Sequence, residues 1–324
     1  MVNNIKPIEE LISNHEHSKK IMQKNLLVFD IHGYDVYNCS LPFEFEGKTY
    51  VWGRVEKREE WATSMTMLFE KSENGTFVRT AGVEALPLED PFMVKIHGEY
   101  VLGGSHVVKE CGLIKTYYVY FYRGKSPFSL RYFTTGPDYM KDIRLVELED
   151  GRIGVFSRPR CQAIMDEYGT ESQIGFTIIN TLDELSAQVI ESAEYIPGIF
   201  APKEWGGINQ AISFGNGKIG LIGHQCYNLF KDGNEYPVYV NTCILYDYKN
   251  KSIHDKKVIG VREDYPDTES KLKTLCKCAF TTGILFKDGD DGDSVELYSG
   301  LSDVGQGMIV IPNPFKDTDC SAAG

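Results

Sequence analysis

One hairpin pattern recurs five times along this 324-residue chain, and the repetition constrains the fold more than any other feature. In each copy an alternating apolar run leads into a glycine-containing turn, and a second apolar run ends in glycine or a polar residue. The copies are Leu41–Arg54 (LPFEFEGKTYVWGR), Asp90–Ser105, Asp142–Arg158, Asn209–His224 and Cys278–Asp303. Their turns read EGK, HGE, EDGR, GNGK and DGDDGD, with glycine supplying the positive φ that tight hairpins need. Gly47, Gly98, Gly151 and Gly217 are 51, 53 and 66 residues apart, close to or above the roughly 40–50 residues of a propeller blade. Further strand-like segments fill the intervals: Ser64–Glu70, Thr116–Arg123, Gln173–Asn180 and Val238–Tyr246. Two hairpins per interval make a four-stranded blade. The expected fold is therefore all-β, a five-bladed β-propeller over residues 29–324, preceded by a helical extension at 1–28. Ile8–Gln23 is the amphipathic segment of that extension, and no helix is expected elsewhere. A β-sandwich is the rival, but it gives no reason to repeat polar residues at one place in every hairpin.

That repetition of polar residues is present. With the hairpins aligned on their turns, the opposite ends carry Asn38 and Ser40, Glu89 and Asp90, Lys141 and Asp142, Asn209 and Gln210, and Lys277 on the entering strands. The leaving strands carry Arg54, Ser105 and His106, Ser157 and Arg158, His224, and Ser302 and Asp303. In a propeller such ends converge on one mouth of the central channel. Charges gathered on an axis cost stability, so the pattern points to a binding site.

Asp90 stands in LEDPF, beside Glu89 and between Leu88 and Phe92. A carboxyl desolvated there is expected to have a raised pKa and to suit general acid work. Glu89, its neighbour, is expected to face the other side of the strand, because side chains alternate. Arg54 and Arg58 lie in GRVEKRE, and Arg158 and Arg160 in SRPR. Guanidinium forks match phosphate oxygens, and His224 and Lys277 would add donors. Tyr37, Trp61, Trp205 and Tyr239 suit stacking on a sugar face, with Trp205 expected in a loop between glycines. Asn38, Glu89, Ser105, Lys141, Asp142, Asn209 and Asp303 complete the candidate sugar contacts.

Other readings are excluded or weak. The net charge of -12 and pI of about 5.1 oppose nucleic acid and anionic membranes, while leaving room for a small anion in a local basic pocket. No apolar run approaches the roughly 18 residues of a membrane span, and the first residues do not read as a signal peptide. The eight scattered cysteines are read as reduced thiols of a cytoplasmic protein. DGDDGD lacks the order of a calcium loop, and His15 and His17 are read as surface residues. No metal or cofactor is expected. P-loop, GxSxG and HExxH motifs are absent.

At DVYNCSLPF, GRVEKRE, LEDPF, KDIRL…DGRIGVFSRPR, EWGGINQAI…GKIGLIGH and LYSGLSDVGQGMIVIPNPF the chain resembles the domain-of-unknown-function 1861 family. The likeness extends over residues 30–315. That family is grouped with the mannosyltransferase/phosphorylases of trypanosomatids, glycosyltransferase family 108, and is related to the β-mannoside phosphorylases of glycoside hydrolase family 130. The resemblance implies a five-bladed propeller that reversibly phosphorolyses β-1,2-linked mannose oligosaccharides with inversion, giving α-mannose 1-phosphate. Inorganic phosphate would be the co-substrate. It also implies the catalytic acid at Asp90 and phosphate contacts at Arg158 and His224. Gln225 follows the histidine where relatives often have glycine, and EDPF replaces the EDPR of family 130. Two rivals stand: a GDP-mannose-dependent β-1,2-mannosyltransferase and a non-catalytic sugar-binding propeller. A homo-oligomer is left open. One acid plus clustered cations suits a phosphorylase, since an inverting hydrolase needs a second carboxylate as base.

Overall fold

Tight turns open the hairpins. Glu46-Gly47, His97-Gly98 and Asn216-Gly217 each place two consecutive residues at positive φ, the two-residue turn whose twist matches that of paired strands. The computed structural model describes residues 5–287, 289 and 292–316, and within them these hairpins build five sheets. Blade 1 uses Asp35–Tyr37, Phe43–Phe45, Lys48–Glu56, Met65–Lys71 and Phe77–Arg79, with Phe29–Asp30 on its outer edge. Blade 2 uses Glu89–Ile96, Glu99–Glu110, Leu113–Gly124 and Arg131–Thr135. Blade 3 uses Arg144–Glu147, Ile153–Ser157, Gly175–Ile179 and Glu194–Tyr195. Blade 4 uses Trp205–Gly215, Lys218–Lys231, Asn234–Asp247 and Ser252–Gly260. Blade 5 uses Ala279–Phe286, Ser294–Leu301 and Gly305–Pro312. The chain is a five-bladed β-propeller.

The helical expectation needs correction at two places. The N-terminal helix ends at Ser18 rather than Gln23, and Gln23–Leu26 pairs with Gly307–Val310 as the outer strand of blade 5. The two chain ends thereby close the ring. Helix also occurs inside the propeller, at Gln162–Tyr168 and Ala187–Glu191 in blade 3. His15 is buried rather than on the surface, with Nε2 2.7 Å from Asp264 Oδ2. It fixes one end of the first helix, while Ile8 donates its N–H to Glu204 at 2.6 Å at the other. Of the DGDDGD turn, Asp288, Asp290 and Asp291 lie outside the described residues. Among the described residues no helix is long and apolar enough to cross a membrane.

Apolar layers seal the blades together. Tyr50, Trp52 and Leu68 meet Leu102 between blades 1 and 2. Phe121 meets Ile143 and Val155 between blades 2 and 3, and Phe156 meets Leu221 and Ile244 between blades 3 and 4. Between blades 4 and 5, Ile222 and Cys243 meet Ala279 and Leu297. A polar staple crosses that last layer. Asn241, fully buried, donates to Ala279 O, Thr281 Oγ1 and Ser299 Oγ and accepts from Tyr265 Oη at 2.8 Å. Asn241→Ala strands several buried polar groups and is expected to cost about 2–4 kcal/mol. Denaturant unfolding checks this, and an unchanged midpoint contradicts the staple's role.

Candidate functional site

The innermost strands lead into the axis, and a small cavity of about 120 Å³ is lined by residues from all five blades, among them Ser40, Phe92, Arg144, Asn209 and Thr281. At the entry to three of these strands the backbone turns left-handed, at Asn38 (φ 45°), Asp90 (φ 50°) and Asp142 (φ 55°). Among residues with a side chain, Asn and Asp tolerate this conformation best. The ladder slips at Asp90 and again at Asn209. Bulges of this kind re-aim side chains, and here they carry polar groups into a cleft of about 690 Å³.

Thirteen of the expected site residues line that cleft: Asn38, Arg54, Trp61, Glu89, Asp90, Lys141, Asp142, Arg158, Arg160, Trp205, His224, Tyr239 and Asp303. Others do not. Arg58 lies outside, paired with Asp35 at 2.5 Å and Glu269 at 2.7 Å, and Lys277 pairs with Glu263 at 2.8 Å. Ser105 is buried opposite Glu89 in the ladder. Asn209 sits behind the cleft wall, with Oδ1 2.8 Å from His224 Nδ1. Trp205 is not in a loop: it opens the inner strand of blade 4 and is buried, with the Arg160 guanidinium 5.1 Å over its ring.

Arg54 organises the first half of the site. Its Nη1 donates to Asp90 Oδ1 at 2.9 Å, its Nη2 to Glu89 Oε1 at 3.2 Å, and its Nε to Ser64 Oγ at 2.8 Å. The guanidinium also lies over Tyr37 at 4.8 Å. Asn38 Nδ2 donates to Asp90 Oδ1 at 2.9 Å, and Lys141 Nζ to Glu89 Oε2 at 2.8 Å. Two expectations fail here for one reason. The left-handed turn at Asp90 breaks the alternation, so Glu89 and Asp90 both reach the same guanidinium. Burial pushes the Asp90 carboxyl up, but Arg54, Lys141 and the Asn38 hydrogen bond outweigh it and hold it below the usual range. The Asp90 carboxyl is therefore ionised at neutral pH.

The second half centres on Asp142. Arg158 donates to Asp142 Oδ2 through Nε at 3.0 Å and Nη2 at 2.5 Å. Burial opposes ionisation of Asp142, but Arg158 and Arg144 hold its carboxyl well below normal. Burial lowers His224 to about 4, so the ring is neutral. Gly207 makes this packing feasible, since a Cβ there would lie 2.9 Å from His224 Cε1 and 3.0 Å from Asp142 Cβ. Arrayed this way, Lys141 and Arg158 can receive an anion, and the ionised carboxylates beside them balance their charge until it arrives.

Apart from Trp61, the sequence reading missed the outer wall. Trp61, Val107, Ile114 and Tyr117 form one rim, and Gln162 and Met165 of the blade 3 helix form another. Gly169, left-handed at φ 70°, caps that helix and was its available signal. Arg144 and Lys271 are buried cations that no local motif announces.

Asp303 stands apart from the other carboxylates. No ion pair or hydrogen bond holds its side chain among the described residues, and burial together with nearby Asp90 pushes it up to about 6 against the pull of Arg54 and Lys271. Its protonated form favours the folded state. That contribution is full below the ordinary carboxyl range, about pH 4, and is lost as pH rises through about 6. Asp303→Asn should therefore abolish a decline in stability across that window, as read by thermal melts over pH. Parallel profiles for the two proteins would contradict the assignment.

Known proteins share this fold. The family model described as "Protein of unknown function (DUF1861)" matches residues 13–317. MPT-4, a mannose phosphorylase from Leishmania mexicana solved with a phosphate ion, is 42% identical, with a TM-score of 0.88 over 95% of this chain and 94% of its own. MPT-1, a GDP-Man-dependent mannosyltransferase from the same organism, is 36% identical, with a TM-score of 0.87 over 96% and 97%. The β-1,2-mannobiose phosphorylase of Listeria innocua is 13% identical, with a TM-score of 0.59 over 87% and 92%, and shares the fold. The search of curated proteins gives no match. With nearly its whole length matched by the family model, this chain is a member of the DUF1861 family.

Proposed function

We propose that this protein is an inverting phosphorylase of β-1,2-linked mannose oligosaccharides, releasing α-mannose 1-phosphate, with Asp90 as proton donor. The observation that carries the reading is the juxtaposition of Asp90 with Lys141, Arg158 and His224 around one cleft. The relative described as a mannose phosphorylase, 42% identical along nearly the whole chain, supports it. Phosphate brings its own negative charge to C1, so no general base is required. Several carboxylates line the cleft, but Glu89, Asp142 and Glu171 are engaged by Lys141, Arg158 and Arg160. They serve to hold cations.

Asp90 must gain a proton before it can give one. Its ionised state depends on Arg54 and Lys141. A dianion bound beside Lys141 offsets that attraction and raises the proton affinity of Asp90. The C1–O bond then breaks, a phosphate oxygen bonds C1 from the opposite face, and the proton of Asp90 passes to the departing oxygen, directly or through a sugar hydroxyl. Asn38, Asp303, Trp205 and Tyr239 are assigned to the sugar.

A second reading, transfer from a nucleotide sugar, has the support of the relative described as GDP-Man-dependent. Donor choice separates the two. Incubation with mannose 1-phosphate and mannose should yield oligosaccharide and free phosphate, whereas activity confined to GDP-mannose favours the transferase. In the phosphorolytic assay Asp90→Asn should lower turnover by about 10²–10⁴-fold with little change in substrate binding. Retained turnover removes Asp90 from the role. Arg158→Ala should weaken phosphate binding in a protein that still folds, and unchanged affinity takes Arg158 out of the anion site.

A further inference from the structure

His224 was expected to donate a hydrogen bond to phosphate. The geometry points the other way. A neutral imidazole has one N–H and one lone pair, and the lowered pKa makes this ring neutral. Nδ1 lies 2.8 Å from Asn209 Oδ1, an oxygen that only accepts. The N–H therefore sits on Nδ1, and Nε2 carries the lone pair.

The ring is held in that orientation. It stacks against Tyr239 with centroids 5.9 Å apart and packs on Phe280 at 4.6 Å. Gly207 closes the third side, with no room for even a Cβ. Nε2 has no hydrogen-bond partner among the described residues, and Asp142 Oδ2 is 3.9 Å away. A lone pair on the wall of an anion-binding cleft repels a bare oxyanion and accepts from a hydroxyl.

We propose that His224, fixed by Asn209 as the Nδ1–H tautomer, accepts the hydroxyl of monohydrogen phosphate and so selects phosphate over tetrahedral anions that carry no proton. The proposal rests on the phosphate site argued above. Asn209 is then a positioning residue, acting through the ring it orients. The chemistry balances. One bare oxygen of the phosphate dianion bonds C1, the hydroxyl bound by His224 keeps its proton, and the sugar phosphate forms as a monoanion. The departing oxygen takes its proton from Asp90.

Calorimetric titration of the full chain with phosphate, arsenate and sulfate tests this at about pH 8, above the second ionisation of phosphate. Phosphate and arsenate then carry one hydroxyl and two charges, and sulfate carries the same charge without the hydroxyl. Phosphate and arsenate should bind alike, and sulfate at least about tenfold more weakly. In His224→Ala phosphate affinity should fall toward that of sulfate, closing the ratio. Equal binding of phosphate and sulfate by the unaltered protein overturns the proposal. So does a His224→Ala variant that weakens both anions by one factor, because a donating histidine predicts that result. Binding of none of the three removes the phosphate reading itself, a distinct outcome. Nitrogen NMR of histidine-labelled protein needs no variant: an unprotonated Nε2 supports the tautomer, and a protonated Nε2 overturns it. The reverse orientation of the Asn209 amide, whose nitrogen is buried without a partner among the described residues, would be read directly by the same spectrum.

Discussion

Left-handed backbone at Asn38, Asp90 and Asp142 is the constraint on which the site depends. Inner strands that continued their pleat through these positions would turn alternate side chains away from the axis. Instead, each strand is entered through a sharp turn that delivers its polar residue to the cleft. Such turns are strained, and they persist where the surroundings over-determine them. Here the partners do so: Asn38 and Arg54 hold Asp90, and Arg158 holds Asp142. Gly300 serves the same end, since a Cβ there would collide with the Asn38 side chain.

Electrostatics explain how a chain of net charge -12 can attract an anion. Around Arg54 the charges nearly cancel, with Arg54, Lys141 and Lys271 facing Glu56, Glu89, Asp90 and Asp303. Burial, together with this one carboxyl in excess, is why Asp303 holds its proton to about 6. Cations kept by carboxylates stay in place without a ligand, so the cleft is organised before substrate enters. Such preorganisation removes the reorganisation that would otherwise accompany charge movement.

Much of this was legible in the chain. The Glu-Gly, His-Gly and Asn-Gly turns fixed the hairpins, and the hairpin ends supplied Asp90, Asp142, Arg158 and His224. What escaped was non-local. Arg58 looked like Arg54 by type and spacing, but Glu269, its partner from blade 5's approach, is 211 residues away. Lys277 was lost to Glu263, 14 residues away. The orientation of Glu89 failed because one φ angle at Asp90 is invisible to a period-two pattern. The blade 3 helix, Gln162–Tyr168, buries only Ile164, too little apolar periodicity to announce a helix.

The central claim is that phosphate, rather than water, attacks the sugar carbon opposite a single acid. Proton and phosphorus NMR during reaction of a β-1,2-linked mannose oligosaccharide with phosphate tests it most directly. The account predicts α-mannose 1-phosphate as the first product, formed in step with shortening of the oligosaccharide. Free mannose released without any phosphate ester, or a sugar phosphate formed first as the β anomer, would contradict it.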